Sequence, residues 1–95
     1  NTVKLYIAPM DETAKEKAFE LANQLRQARV SCDFDHMDRG IKSQFKYADK
    51  IGAEYVLVVG DNEIESGKAQ LKNMRDKDDR ADIELDKIVE IIESK

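Results

Sequence analysis

The sequence contains one cysteine, one histidine, one proline and no tryptophan in 95 residues. Cys32 alone cannot close an internal disulfide. With no second thiol, and with His36 as the sole imidazole, no ligand set stands at zinc spacing. Glycine is equally sparse, and none of the four forms a phosphate-cradling turn. Pro9-Met10-Asp11 follows the first strand-like segment, where a dinucleotide or phosphate loop would need a glycine-rich bend. Ser31 and Ser43 sit in no nucleophile motif, and Cys32 lies mid-strand without an evident base. Asp11 and Asp61 match the acid pair and acceptor of a phospho-receiver only loosely. The longest apolar run, Val56 to Val59, is far too short to span a bilayer, and no basic-then-apolar leader precedes Val3. The expectation is a soluble cytoplasmic chain with no membrane contact, no catalytic residue, no metal and no cofactor of its own.

What is present is strongly patterned. Hydrophobic residues make up 41% and charged residues 38%, enough apolar material for one core beneath a well-solvated surface. A single domain over 1–95 is expected. Val3, Leu5 and Ile7 alternate with polar neighbours, predicting a strand that Pro9 ends. Asp11 can cap a helix running to about Arg29, with Ala14, Ala18, Leu21, Ala22, Leu25 and Ala28 on one face. Its small alanines suit close approach to a sheet. Val30, Cys32 and Phe34 predict a second strand, in which the thiol would be buried. Ile41, Phe45, Ala48 and Ile51 predict a second helix stopped by Gly52, and Tyr55 to Val59 a strand covered on both faces.

That order, β-α-β-α-β, favours parallel pairing. The pattern then changes. Asp61 to Ser66 fits one helical turn stopped by Gly67. Lys68 to Arg75 and Ala81 to Leu85 alternate around the turn Asp76–Asp79, and a last helix follows Asp86. The fold class is therefore α/β: a five-stranded mixed sheet, with a parallel β-α-β-α-β start and a C-terminal β-hairpin, flanked by about three helices.

The net charge of −4 speaks against a broad nucleic-acid groove. Its distribution is uneven. Between Arg39 and Lys50 four cations (Arg39, Lys42, Lys46, Lys50) stand against one acid (Asp49), a local +3 that leaves −7 on the rest. A basic island on an acidic chain fits a small anion site, although a solvated helix face has the same composition.

The stretch from Asp35 to Gly67 reads DHMDRGIKSQFKYADKIGAEYVLVVGDNEIESG. It resembles the anticodon-binding domains of class II aminoacyl-tRNA synthetases. Gly60-Asp61-x-Glu63-x-x-x-Gly67 after an apolar strand, followed by a polar strand with Lys72, resembles the threonyl, prolyl, glycyl and histidyl members alike. Arg39, Lys42, Gln44, Ala48 and Gly52-Ala53, together with Lys72-Asn73-Met74, are more similar to the histidyl branch. Arg75 to Arg80 departs from the pattern and is expected to be a variable hairpin tip. A threonyl- or prolyl-type domain, or a paralogue of this fold acting as a protein-interaction or accessory subunit, remains the other reading.

The resemblance implies a tRNA-reading module. Its partner would be the anticodon stem-loop of tRNA(His), with anticodon GUG. A separate catalytic domain absent from this chain would use ATP and magnesium to activate histidine. The full-length enzyme would be a homodimer and this domain alone a monomer. Lys42, Lys46 and Lys50 recur every fourth residue, one stripe on the second helix, with Arg39 in the loop before it. They suit loop phosphates, and by resemblance to the threonyl branch Lys46 would also touch a base. Glu63 is acceptor-only when ionised and suits the N1–H and N2–H edge of an extruded guanine. Lys72 and Gln70 share one face of the fourth strand and are expected near enough to meet a base beside Glu63. Asn73 points the other way. Gln44 suits a base edge or the Arg39 loop, while Phe45 suits the core better than stacking.

Overall fold

The computed structural model describes residues 3–35 and 39–95. His36 therefore lies outside the described residues. Five strands form one sheet in the order β2-β1-β3-β4-β5. β1 (Leu5–Pro9) runs parallel to β2 (Cys32–Phe34) and β3 (Tyr55–Val59), and β4 (Lys68–Asn73) and β5 (Arg80–Glu84) continue antiparallel from β3. Four helices accompany it: α1 (Glu12–Gln27), α2 (Ile41–Lys50), α3 (Asp61–Ser66) and α4 (Ile88–Glu93), the last entered through a 3-10 turn at Leu85–Lys87. The fourth helix relative to expectation is α3, the single turn between Asp61 and Gly67.

Local chemistry sets these boundaries. The Asp11 carboxylate accepts from the Ala14 N–H at 2.9 Å, satisfying one orphan donor of α1. Gly52 after α2 and Gly67 after α3 have φ of 74° and 75°, the left-handed region where a side chain is strained. The alanines of α1 act as predicted: Ala14, Ala18 and Ala22 are fully buried against the sheet.

The two faces of the sheet differ. One carries Leu5, Ile7, Leu57, Val59, Ala69 and Leu71 against Leu21 and Leu25 of α1 and Ile88 and Ile92 of α4. The other carries Tyr6, Ala8 and Val56 beneath Ala48 of α2, a smaller core. Strand alternation puts Lys68, Gln70 and Lys72 of β4, and Arg80, Asp82 and Glu84 of β5, on the α2 side. All six are exposed or half-buried, so α2 covers this face only in part. β3 is less enclosed than its continuous apolar run predicts: Val58 is half-buried on the α2 face, and Tyr55 is half-buried on the other. Cys32 is likewise half-buried rather than buried, its Sγ 3.5 Å from the Ala22 carbonyl, and burial pushes its thiol pKa up.

Candidate functional site

The residues singled out in the sequence fall into three groups on the half-covered face and its edge. The first is a clamp at the start of α2. Asp35, 3% exposed, accepts from the Arg39 backbone N–H at 2.8 Å and from Arg39 Nη1 at 2.9 Å. The guanidinium lies over the Tyr47 ring, 4.2 Å from its centroid. Gln44, 1% exposed, donates from Nε2 to the Arg39 carbonyl at 2.9 Å and to the Pro9 carbonyl at 2.8 Å. Of its two anticipated roles, Gln44 takes the structural one. It fixes the Arg39 loop and ties α2 to the end of β1, and it is not presented on the open face. Arg39 holds the same clamp from the other side.

The second group is the lysine stripe. Lys42, Lys46 and Lys50 are all exposed on α2, opposite the buried Gln44 and Ala48. None has an ion-pair partner among the described residues. Of the other lysines, four are paired (Lys4 with Glu54, Lys15 with Glu12, Lys17 with Glu20 and Lys87 with Glu84), while Lys68, Lys72, Lys77 and Lys95 also lack an ion pair among the described residues. Exposed pairs add little stability, but their absence along α2 leaves three charges ready for an external anion.

The third group is split by strand register. Glu63 lies in α3, beyond the carboxyl end of β3, and its Oε1 accepts from the Gly60 N–H at 2.8 Å. That bond caps α3 and holds the carboxylate at the sheet edge, half-buried. A Cβ on Gly60 would stand 3.0 Å from that same oxygen and 3.2 Å from Met10 Sδ, so the glycine leaves the carboxylate its place. Lys72, in contrast, lies across from Val56. Gly60 lies four residues beyond Val56, about 13 Å of strand. Lys72 and Glu63 therefore approach the open face from positions well apart along β3. Continued, the register sets Gln70 across from Val58 and Lys68 across from Gly60, so on this face both lie nearer to Glu63 than Lys72 does. Asn73, aligned with Tyr55, points to the other face as predicted.

Lys72 instead rests over Phe45, with Nζ 5.1 Å from the ring centroid. Phe45 is half-buried, a core residue with an accessible edge. Lys77 and Arg80, treated in the sequence as a variable tip, come back beside Lys72. The signal that could have found Arg80 is hairpin pairing, which aligns it with Lys72. The crevice at the carboxyl ends of β1 and β2 is lined by Pro9, Met10, Asp11, Asp35 and Arg39 among others. It is not the apolar pocket a small-molecule domain would need.

Residues 4–95 match the family model described as the anticodon binding domain. The chain belongs to the anticodon-binding domain family. Within it, likeness runs to the histidyl branch. The histidine–tRNA ligase of Clostridium kluyveri is 46% identical over 74 residues, covering 78% of this chain and 18% of that protein. That of Alkaliphilus oremlandii is 44% identical over 89 residues, covering 94% and 21%. The solved structure of apo S. aureus histidyl-tRNA synthetase superposes with a TM-score of 0.92 at 38% identity, covering 96% of this chain and 26% of that one. The anticodon-binding domain described here thus spans about a fifth of the length of the curated relatives it matches. Among its described residues no helix is long and apolar enough to cross a membrane.

Two buried polar atoms at the clamp have no hydrogen-bond partner among the described residues, Gln44 Oε1 and the hydroxyl of the fully buried Tyr6 beneath it. Burial, then the Asp35 carboxylate, push its pKa far above the ordinary tyrosine value, with Arg39 opposing. Tyr6→Phe should therefore raise stability at neutral pH by about 1 kcal/mol, since it removes a desolvated, unpaired hydroxyl. The wild type should also lose stability above about pH 10, where the unfolded chain releases the proton that the folded chain retains. Below that pH the tyrosine binds its proton in both states and the contribution is constant. Urea denaturation across pH checks this: the advantage of Tyr6→Phe should widen only on the alkaline side. The raised Cys32 thiol acts in the same direction, but it is common to both proteins and cancels in the difference.

Proposed function

We propose that this domain grips the anticodon stem-loop of tRNA(His) and reads its GUG anticodon, in support of histidine attachment by a catalytic domain elsewhere in a longer, dimeric synthetase. That enzyme would work in the cytoplasm with ATP and magnesium, and this domain would hold neither. The observation that carries the reading is a sheet face left half-open beside a helix whose three exposed lysines have no carboxylate partner among the described residues. Sequence-specific RNA readers address unstacked loop bases while gripping the backbone. The stripe of Lys42, Lys46 and Lys50 serves the backbone, with Lys46 placed to approach a base as well. Glu63 offers acceptors for a guanine edge, and Gln70 stands near it with both donor and acceptor. The Arg39–Gln44 clamp positions the stripe. Lys72, across from Val56 on the same face, adds a further cation for the loop.

The test is binding of this chain to an RNA hairpin bearing the GUG loop. Three neutralised phosphates predict a log–log salt slope of roughly −2, hence about 15- to 20-fold weaker binding at 200 mM than at 50 mM salt. Lys42→Ala should weaken matched and mismatched loops equally and flatten the slope by about 0.7. Affinity for the GUG hairpin no better than for an unrelated hairpin of equal length would defeat the proposal.

A further inference from the structure

We propose that Met10 is an oxidation site that governs Glu63: conversion of its thioether to the sulfoxide by a peroxide displaces the carboxylate and weakens the choice between loops. The inference rests on the reading of a base by Glu63 above and adds a regulation of it. Met10 follows β1 with 58% of its surface exposed, and among the described residues only Phe19 is a comparably exposed large apolar side chain. Met74 is half-buried, and Met37 lies outside the described residues. Peroxide therefore reaches the Met10 sulfur more readily than that of Met74.

The exposed thioether is also placed against the Glu63 carboxylate. The point where a Cβ of Gly60 would stand is 3.2 Å from Met10 Sδ, 3.5 Å from Met10 Cβ and 3.0 Å from Glu63 Oε1. Sulfur and carboxylate oxygen thus converge on the space that the glycine leaves. Neither can retreat by a shift of the chain. The Met10 N–H donates to the Val59 carbonyl at 2.8 Å, the Pro9 carbonyl accepts from Gln44, and the Asp11 carboxylate caps α1. The backbone on both sides of Met10 is therefore pinned, and Glu63 Oε1 is held by the Gly60 N–H at 2.8 Å. A change at the sulfur has to be absorbed by the two side chains.

A thioether is apolar and only a weak acceptor, so it leaves the carboxylate undisturbed. The sulfoxide is polar and carries an oxygen with partial negative charge. In the reaction hydrogen peroxide transfers one oxygen to Sδ as its O–O bond breaks. The sulfur gives up two electrons and the peroxide is reduced. The proton of the transferred hydroxyl passes to the departing oxygen, which leaves as water. The new oxygen then repels the carboxylate and competes with it for the Gly60 N–H. Glu63 Oε2, the acceptor left for a guanine edge, moves with the rest of the carboxylate. Met10 is thus a positioning residue that acts through Glu63 and leaves the charges of the lysine stripe unaltered.

The test treats the intact chain with hydrogen peroxide, maps methionine sulfoxide by peptide mass spectrometry, and titrates treated and untreated protein with GUG and mismatched hairpins. Met10 should oxidise before Met74. Treated wild type should lose about fivefold of its preference for GUG, the scale of one hydrogen bond, with its salt slope unchanged because no cation is altered. Met10→Leu keeps an apolar side chain without the sulfur, so it should bind as untreated wild type does and hold its preference through the treatment. It still carries Met37 and Met74 and so controls for their oxidation. Methionine sulfoxide reductase should restore the preference of treated wild type. Undiminished preference in wild type oxidised at Met10, or an equal loss in treated Met10→Leu, overturns the switch alone. Untreated wild type that does not prefer the GUG hairpin overturns it together with the RNA reading.

Discussion

Asp35→Ala is expected to destabilise the domain by about 3 kcal/mol, the scale of breaking a largely buried ion pair by removing one partner. Asp35 is buried, while the Arg39 side chain remains 28% exposed, which places the cost at the lower end of that range. The loss extends beyond the pair. The carboxylate also accepts from the Arg39 backbone N–H, the Arg39 carbonyl accepts from Gln44, and Gln44 reaches the Pro9 carbonyl. Through this relay the ends of β2 and β1 fix where α2 begins, and with it Lys42 in the first turn. The variant should therefore unfold at lower urea concentration and also bind the GUG hairpin more weakly than its folded fraction explains. Asp35→Asn, which keeps one acceptor but turns an amide donor toward the arginine, should fall between. A midpoint for Asp35→Ala indistinguishable from wild type would show that water replaces the carboxylate at no cost.

The same relay shows where the sequence was legible and where it was not. Alternation located β1 and β3, and capping located α1, α2 and α3, because Asp11, Gly52 and Gly67 act within a few residues of themselves. Register is a long-range property. Nothing in Glu63 and Lys72 as sequence neighbours reveals that the antiparallel return of β4 carries them to opposite ends of β3. Gln44 lay in plain view on the helical face between Ile41 and Ala48. A polar residue at a core position can contact a ligand or brace the backbone, and only burial decides between those roles. The i, i+4 spacing of Asp35 and Arg39 was a usable signal for the clamp that the count of local charge obscured. Arg80 was passed over because a hairpin tip reads as variable until its partner strand is known.

Glu63 caps α3, and in the proposed function it also reads a base, so two substitutions are needed to separate the two roles. Glu63→Ala should cost about 1 kcal/mol in stability, since α3 is a short helix whose first turn depends on that acceptor. It should also remove the preference for GUG over a mismatched loop. Glu63→Gln keeps an oxygen for the Gly60 N–H and should hold stability within about 0.5 kcal/mol of wild type. Its other atom, however, becomes a donor. With Oε1 already engaged at 2.8 Å by Gly60, a guanine edge must be met by Oε2 and the remaining lone pair of Oε1. An amide in that place sets N–H against N–H. Glu63→Gln should therefore lose about tenfold or more of the discrimination between matched and mismatched hairpins, within the 1–3 kcal/mol scale of a bidentate base contact, while its melting curve barely moves. Full discrimination retained in a stable Glu63→Gln protein would confine Glu63 to capping α3 and would move base reading to Gln70, Lys46 and Lys72.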